Sequence, residues 1–271
     1  MIELNAIRTV AAKEFRDRLR NRWVLAVSVV FTLFALVIAY FGAAQQGEVG
    51  LRGIEVTIAS LVSLVIYLIP LIALLLGFDA IVGERERGSL ELMLSLPISR
   101  AELILGKYGG LAAALSVATL TGFGLAGALL VTRLPAAALY HYAGFMLSAL
   151  LLGLAFLSLA VLVSVLAGDR TRASGAAIAL WFFFVLIFDL LLLGLLVVQG
   201  DGPLGEWLPY LMLLNPADLF RALNIFSSDE LRSFYGLGSV LPDLMTQPLM
   251  LGGMLTGWIV APLAAALWRF R

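Results

Sequence analysis

The sequence has 271 residues, of which 62% are hydrophobic and 13% charged, with a mean hydropathy of +1.02. A soluble domain is nearer half apolar and a quarter charged, so this composition excludes one and specifies an all-α polytopic membrane protein. Formal net charge is zero, which removes any bulk electrostatic case for nucleic acid, and the absence of cysteine excludes disulfides and thiolate metal sites.

The chain opens on an amphipathic segment, residues 2–22. Leu4, Ile7, Val10, Ala11, Phe15 and Leu19 form one face, while Arg8, Lys13, Arg16, Arg20 and Arg22 fall mostly on the other. This reads as an interfacial helix with its basic face toward anionic lipid; the alternative is a solvated basic tail. The first span follows at 23–41. It begins too far in, and lacks the small-residue cleavage site, for a cleavable signal peptide. A short loop, 42–55, leads to a second span over 56–78, where Pro70 predicts a kink.

Residues 83–107, GERERGSLELMLSLPISRAELILGK, interrupt two runs that are each long enough to cross a bilayer. Leu90, Met93, Leu94 and Leu96 recur at helical spacing, and Pro97 stops that helix. Ser99 then caps a second helix, with Glu102 as its capping-box partner. The third span is predicted at 108–131. The uncharged stretch 134–168 is too long for one span and divides into a surface segment, 135–142, and a fourth span, 143–167. A polar turn at 168–172 precedes the fifth span, 173–198. The last span is 245–268.

Between these last two spans lies a long polar segment, 199–244. Residues 207–214 are apolar but too short to span. Asn215, Pro216 and Asp218 read as cap, first position and first-turn acid of a helix whose apolar face is Leu219, Phe220, Leu223 and Phe226. Two short helices dipping into the outer membrane surface fit this pattern; the alternative is one helix lying flat on it. Trp207, Phe220 and Phe226 with Arg221 and Arg232 make an aromatic–arginine set suited to gripping a partner.

Six spans place both termini on one side. The N-terminal segment, the 83–107 hairpin, the 168–172 turn and the C-terminus hold fourteen of the eighteen Lys and Arg. By the positive-inside rule that side is cytoplasmic and the 199–244 segment lies outside.

The residues that could carry chemistry are few. Gly106-Lys107 lies in no phosphate-cradling loop. His141 is the lone histidine, at the outer interface. Met212, Met245, Met250 and Met254 could gather near the outer face, but methionine is more often packing material, and no metal site is assigned. No nucleophile–base pair falls at membrane depth, so an enzyme is not expected. Asp189 lies 17 residues past Arg172, about 25 Å along a helix. A carboxyl at that depth is either functional or a protonated acid bonded to a neighbour at a subunit interface. Asp79 ends the second span and orients that junction. Gly106-x-x-x-Gly110 and Gly253-x-x-x-Gly257 permit close helix packing.

Glu84, then Gly88-Ser89-Leu90-Glu91, then Leu94-Ser95-Leu96-Pro97-Ile98-Ser99-Arg100, then Leu105-Gly106-Lys107 resembles the coupling hairpin of type-2 ABC exporter permeases. More narrowly, the sequence is similar to permeases of transporters that mature nitrous oxide reductase. That likeness rests on Arg20-Asn21-Arg22-Trp23, Thr57-Ile58-Ala59-Ser60-Leu61, the runs 70–76 and 78–84, Phe188-Asp189-Leu190 and Leu213-Leu214-Asn215-Pro216.

The resemblance implies one transmembrane domain over 1–271 in the bacterial inner membrane, acting as a pair joined through the first and fifth spans near Asp189. It implies a separate cytoplasmic ABC ATPase subunit that binds ATP-Mg, with no cofactor on this chain. Glu84, Arg87, Glu91, Leu94 and Arg100 would engage that ATPase. A periplasmic β-helical protein would sit on the outer segment, and a copper-chaperone lipoprotein is a further expected partner. The competing expectations are export of a hydrophobic or lipid-like substrate, and an ion-coupled carrier that uses Asp189.

Overall fold

The computed structural model describes residues 3–20, 22–41, 54–131, 136–199, 208–225 and 247–270. Among these residues every regular element is helical. They are α1 (Leu4–Arg20), α2 (Trp23–Phe41), α3 (Ile54–Gly77), α4 (Val82–Glu86), α5 (Ser89–Leu94) and α6 (Arg100–Val131). There follow α7 (Ala136–Leu166), α8 (Arg170–Phe182), α9 (Phe188–Gln199), α10 (Leu208–Met212), α11 (Pro216–Ile225) and α12 (Pro248–Arg269). A turn of π-helix, Phe183–Ile187, joins α8 and α9 into one rod. Five stretches are long and apolar enough to cross a membrane, and α1 with α2, bent by 64° between them, supplies a sixth at most. The protein is an all-α polytopic membrane protein.

The bundle is built around α7. Its sequence carries no charge from Ala136 to Leu166, and a helix that is apolar all round is kept from water by protein or by lipid. Two thirds of its apolar window is buried, against α3, α6, α11 and α12. A chain of rings fixes the layers: Phe31 stacks on Phe123 at 5.0 Å, Phe123 meets Phe145 edge-on at 5.4 Å, and Phe145 reaches Phe220 at 6.2 Å. The Tyr142 hydroxyl donates to the Phe123 carbonyl at 2.8 Å and so pins α7 to α6.

Two expectations need correcting. The fourth span is one helix, Ala136–Leu166, not a surface segment followed by a shorter span. Its only proline lies before it, and the Ala136-Ala137-Ala138 start favours helix. Likewise, α1 is not turned toward lipid along its apolar face. Ile7, Val10, Ala11 and Phe15 lie half-buried, and α1 runs along the first half of α6. Leu4 and Leu19, at its ends, are the face residues left exposed.

Gly106 and Gly110 are the reason. A Cβ on Gly106 would come within 2.6 Å of Val10 Cβ, and one on Gly110 within 2.6 Å of the Ala11 carbonyl and Glu14 Cβ. The first of the two small-residue patterns therefore packs α1 on α6, while Gly253 and Gly257 face open space.

The ends of the bundle differ in character. At one end Ala266 and Phe270 cluster with Ile81, Leu90, Leu103, Ile104 and Val165. This gathers the end of α12, the α4–α5 hairpin and the start of α6. At the other end Leu219 and Ala222 of α11 pack on Leu251 and Leu255 of α12.

Candidate functional site

The hairpin at the basic end is built from local signals. Gly88 sits at φ +71°, a left-handed conformation that lets α5 double back after α4. The Ser99–Glu102 capping box forms as expected: the Ser99 amide donates to Glu102 Oε2 at 2.6 Å, and the Glu102 amide donates to Ser99 Oγ at 3.2 Å. Glu102 also accepts from the Glu3 amide, which ties the start of α1 to α6.

The helix α5 points three of the four stripe residues, Leu90, Met93 and Leu94, inward. Leu90 is buried against Ile81, Leu103 and Phe270, with Met93 and Leu94 packed beside it. Glu91 is exposed, as are Leu92 at 71% and Leu96 at 58%. Leu90, Met93 and Leu94 of the stripe are thus its anchor, and the exposed edge, which includes Leu96, is what remains for another protein.

Beneath the hairpin lies a charged knot. Lys107, 3% exposed on α6, donates to Glu14 Oε2 of α1 at 3.2 Å and to Glu84 Oε1 of α4 at 2.9 Å. Arg18 holds Glu14 at 3.2 Å and lies 3.9 Å from Asp79. Arg170, on α8, pairs with Asp79 at 3.0 Å, and its amide donates to Glu86 at 2.7 Å. Ser89 donates to Glu84 as well. The Ser164 hydroxyl accepts from the amides of Ile81 and Val82, so the turn at the head of the hairpin is held by α7. Four helices, α1, α4, α6 and α8, and the turn after α3 therefore meet at one set of ion pairs.

A second polar cluster lies at the opposite end. Asn215 caps α11 as its sequence suggests, accepting from the Ala217 amide at 2.9 Å. Its side-chain amide is shared between the Phe184 carbonyl at 2.8 Å, inside the π turn, and Asp218 at 3.0 Å. Arg221 bridges two acids, Asp218 at 2.7 Å and Asp189 at 2.9 Å. Burial pushes the Asp218 carboxyl up, while the adjacent Arg221 guanidinium pulls it back. Asp218 is fully buried, whereas Asp189 and Arg221 keep about a third of their side-chain surface. Asp189 is thus ion-paired, and the cluster fastens the fifth span to α11.

The sequence model of the family described as ABC-2 family transporter protein matches residues 8–271. The chain belongs to the ABC-2 transporter family. It is 46% identical over 270 residues to a Pseudomonas aeruginosa protein described as a probable ABC transporter permease protein NosY, covering 97% of both chains. It is 44% identical over 272 residues to a Stutzerimonas stutzeri protein of the same description, covering 99% of both.

In this ABC-2 chain the expected site residues divide by burial. Arg87, Glu91 and Arg100 are exposed on the hairpin, and Leu94 is half-buried. Glu84 turns inward to Lys107 at 2.9 Å, with its side chain 12% exposed. Asp79 pairs with Arg170 and lies near Arg18. Phe220 is fully buried against Phe145, so an outside partner meets it only if α11 leaves its seat. Arg221 is committed to Asp189 and Asp218.

Trp207, Phe226 and Arg232 lie outside the described residues. Met212 and Met254 pack around Leu251 and Leu255, and Met245 lies outside the described residues. Among the described residues no three His, Cys, Asp or Glu side chains are grouped to hold a metal. Lys107 and Asp218 were missed as centres of these clusters. A lone Lys opening an uncharged run of about 24 residues was the available signal for the first.

Proposed function

We propose that this chain is the permease subunit of an ABC transporter whose ATP-Mg is bound by a separate cytoplasmic ATPase subunit. The observation that carries this is the hairpin. A helix of six residues is anchored by Leu90 while Leu92, Leu96 and Glu91 stand exposed beside it. Apolar tips next to charge on a firmly based helix suit a socket in another protein. The same end carries most of the Lys and Arg, which supports a cytoplasmic side for it and a periplasmic one for α11.

The finer reading is a transporter that serves copper-site maturation of nitrous oxide reductase in the inner membrane. It is supported by 44–46% identity, over nearly the whole length, to two proteins named NosY. The partners are then a NosF-like ATPase, a second copy of this chain, a NosD-like β-helical protein outside and a NosL-like copper lipoprotein. No catalysis is assigned to this chain itself. The fifth span exposes Phe182, Ile187, Leu190, Leu191 and Leu193, a broad apolar face suited to pairing with a second copy near Asp189.

A second reading, export of a hydrophobic or lipid-like substrate, draws on an apolar cleft of about 510 Å³ near the outer end. It is lined by Tyr140, Phe145, Leu147, Leu151 and Asn224, among others. The ion-coupled carrier loses ground, because Arg221 already neutralises the acid it requires.

Affinity purification of the chain with its neighbours tests the proposal. An ATPase and a periplasmic β-helical protein should both be recovered, and Leu92→Glu with Leu96→Glu should release the ATPase alone. Recovery of an ATPase without the periplasmic protein leaves a generic exporter. Retention of the ATPase by the double variant overturns the docking edge.

A further inference from the structure

The inner side of the hairpin bounds a cleft that shares only Glu91 with the docking edge. Its volume is about 640 Å³, within the range of about 300–1,000 Å³ common for ligand sites. Three arginines from three elements line it: Arg85 of α4, Arg100 at the head of α6 and Arg269 at the end of α12. The acid among the lining residues is Glu91, so the wall carries a net charge of about +2. Leu90, Leu94 and Val165 supply apolar wall. Leu92 and Leu96 do not line it.

The arginines are unequally occupied. Arg85 donates to the Ala167 carbonyl at 2.8 Å, which uses one of its five N–H groups and covers the last carbonyls of α7. Arg100 lies 5.6 Å over the Phe270 ring, a contact that orients the guanidinium and leaves its donors free. Neither Arg100 nor Arg269 pairs with a carboxylate among the described residues, although the knot of ion pairs lies close by. Unpaired guanidinium groups around an amphiphilic cleft select an anion that carries apolar substance.

Depth decides which anion. Trp268, one residue before Arg269, is 70% exposed, and Leu166, on the cleft wall, is 57% exposed. An exposed tryptophan closing a spanning helix marks headgroup level, and an exposed leucine beside it marks the edge of the acyl region. Basic pockets between spanning helices on the cytoplasmic side are suited to anionic headgroups.

We propose that this cleft binds one anionic phospholipid, its phosphate held by Arg100 and Arg269 with Arg85 behind, and its chains leaving past Leu166 into the bilayer. The lipid wedges the hairpin against the end of α12 from the side opposite the ATPase edge. That it comes from the cytoplasmic leaflet rests on the orientation proposed above; that it is retained does not, so the two claims fail separately.

The test uses the whole transporter complex, extracted in mild detergent and equilibrated with mixed phosphatidylcholine and phosphatidylglycerol micelles. Native mass spectrometry then counts the lipid retained. One phosphatidylglycerol per chain should outlast delipidation, with phosphatidylcholine lost. Arg100→Gln with Arg269→Gln should lower retention about tenfold or more, since two charges at the membrane surface are removed. Glu91→Gln, which deletes the acid on the wall, should raise it, and this holds even if the double variant assembles poorly. Equal retention of the two lipids, or unchanged phosphatidylglycerol in the double variant, overturns the site. Displacement of the lipid by excess inorganic phosphate would show a free-anion site, and retention only when the ATPase is absent would show a protein socket; either result also overturns it.

Discussion

Replacing Lys107 by Met is the sharpest probe of the charged knot. Methionine keeps the unbranched stem of lysine and removes only the ammonium, so repacking contributes little. What remains is Glu14, 7% exposed, and Glu84, whose side chain is 12% exposed. Removing one partner of a buried pair costs about 3–5 kcal/mol, because the other charge is stranded. Glu14 keeps Arg18 at 3.2 Å, whereas Glu84 keeps Ser89 and a looser Arg87 at 3.7 Å. One acid is therefore stranded rather than two, which places the loss near the lower bound, about 3 kcal/mol. Thermal unfolding of the purified chain should show it as a fall of about 6–12 °C in Tm, at about 2–4 °C per kcal/mol for a chain approaching this size. Adding Glu84→Gln to Lys107→Met removes the stranded charge and should restore more than half the loss. A single-variant shift under about 2 °C, or a double variant worse than the single, refutes the reasoning.

Gly110→Ala forces its new methyl against the Ala11 carbonyl and should cost about 1–3 kcal/mol, seen as loosened protection of α1 against limited proteolysis. Asp189→Arg alone should destabilise the outer end by setting like charges together, and Asp189→Arg with Arg221→Asp should recover part of it; hydrogen exchange in α11 reads both. Cysteine labelling in this cysteine-free chain should reach position 88 from the cytoplasm and position 229 from outside. A cysteine at position 193 should cross-link two copies in membranes, and monomer alone counts against pairing through the fifth span.

Features decided within a few residues of sequence were legible. Asn215 and the Ser99–Glu102 pair cap helices because a side chain two or three positions away satisfies the amides that every helix start leaves open. Pro97 follows the end of α5 because it cannot continue a helix. Span positions followed from run length, except that the fourth begins at Ala136 with no separate surface segment before it. Amphipathicity, by contrast, gives the apolar face of a helix without saying what that face meets. The stripe of α5 meets the protein's own core, and that of α1 meets Gly106 and Gly110 rather than lipid. Lys107 finds Glu14 at a separation of 93 residues and Asp189 finds Arg221 at 32, pairings that no local pattern encodes.

These long-range pairings also suggest how the two ends of the bundle communicate. The fifth span is 17% buried over its apolar window, against 67% for the span built on α7. Its middle packs along one edge only, through Ala177, Phe184 and Val185. Its ends are tied by charge, Arg170 to Asp79 at one end and Asp189 to Arg221 at the other. The Asp79 end shares Arg18 and Glu14 with the Lys107 knot beneath the hairpin, and the Asp189 end holds α11. The π turn between them is a known place for a helix to adjust its register without breaking. A rod tethered by charge at two levels and packed along one edge between them can carry a displacement of the hairpin to α11 by tilting. A rod embedded along its whole length, as α7 is, would have to deform a close-packed core to do the same.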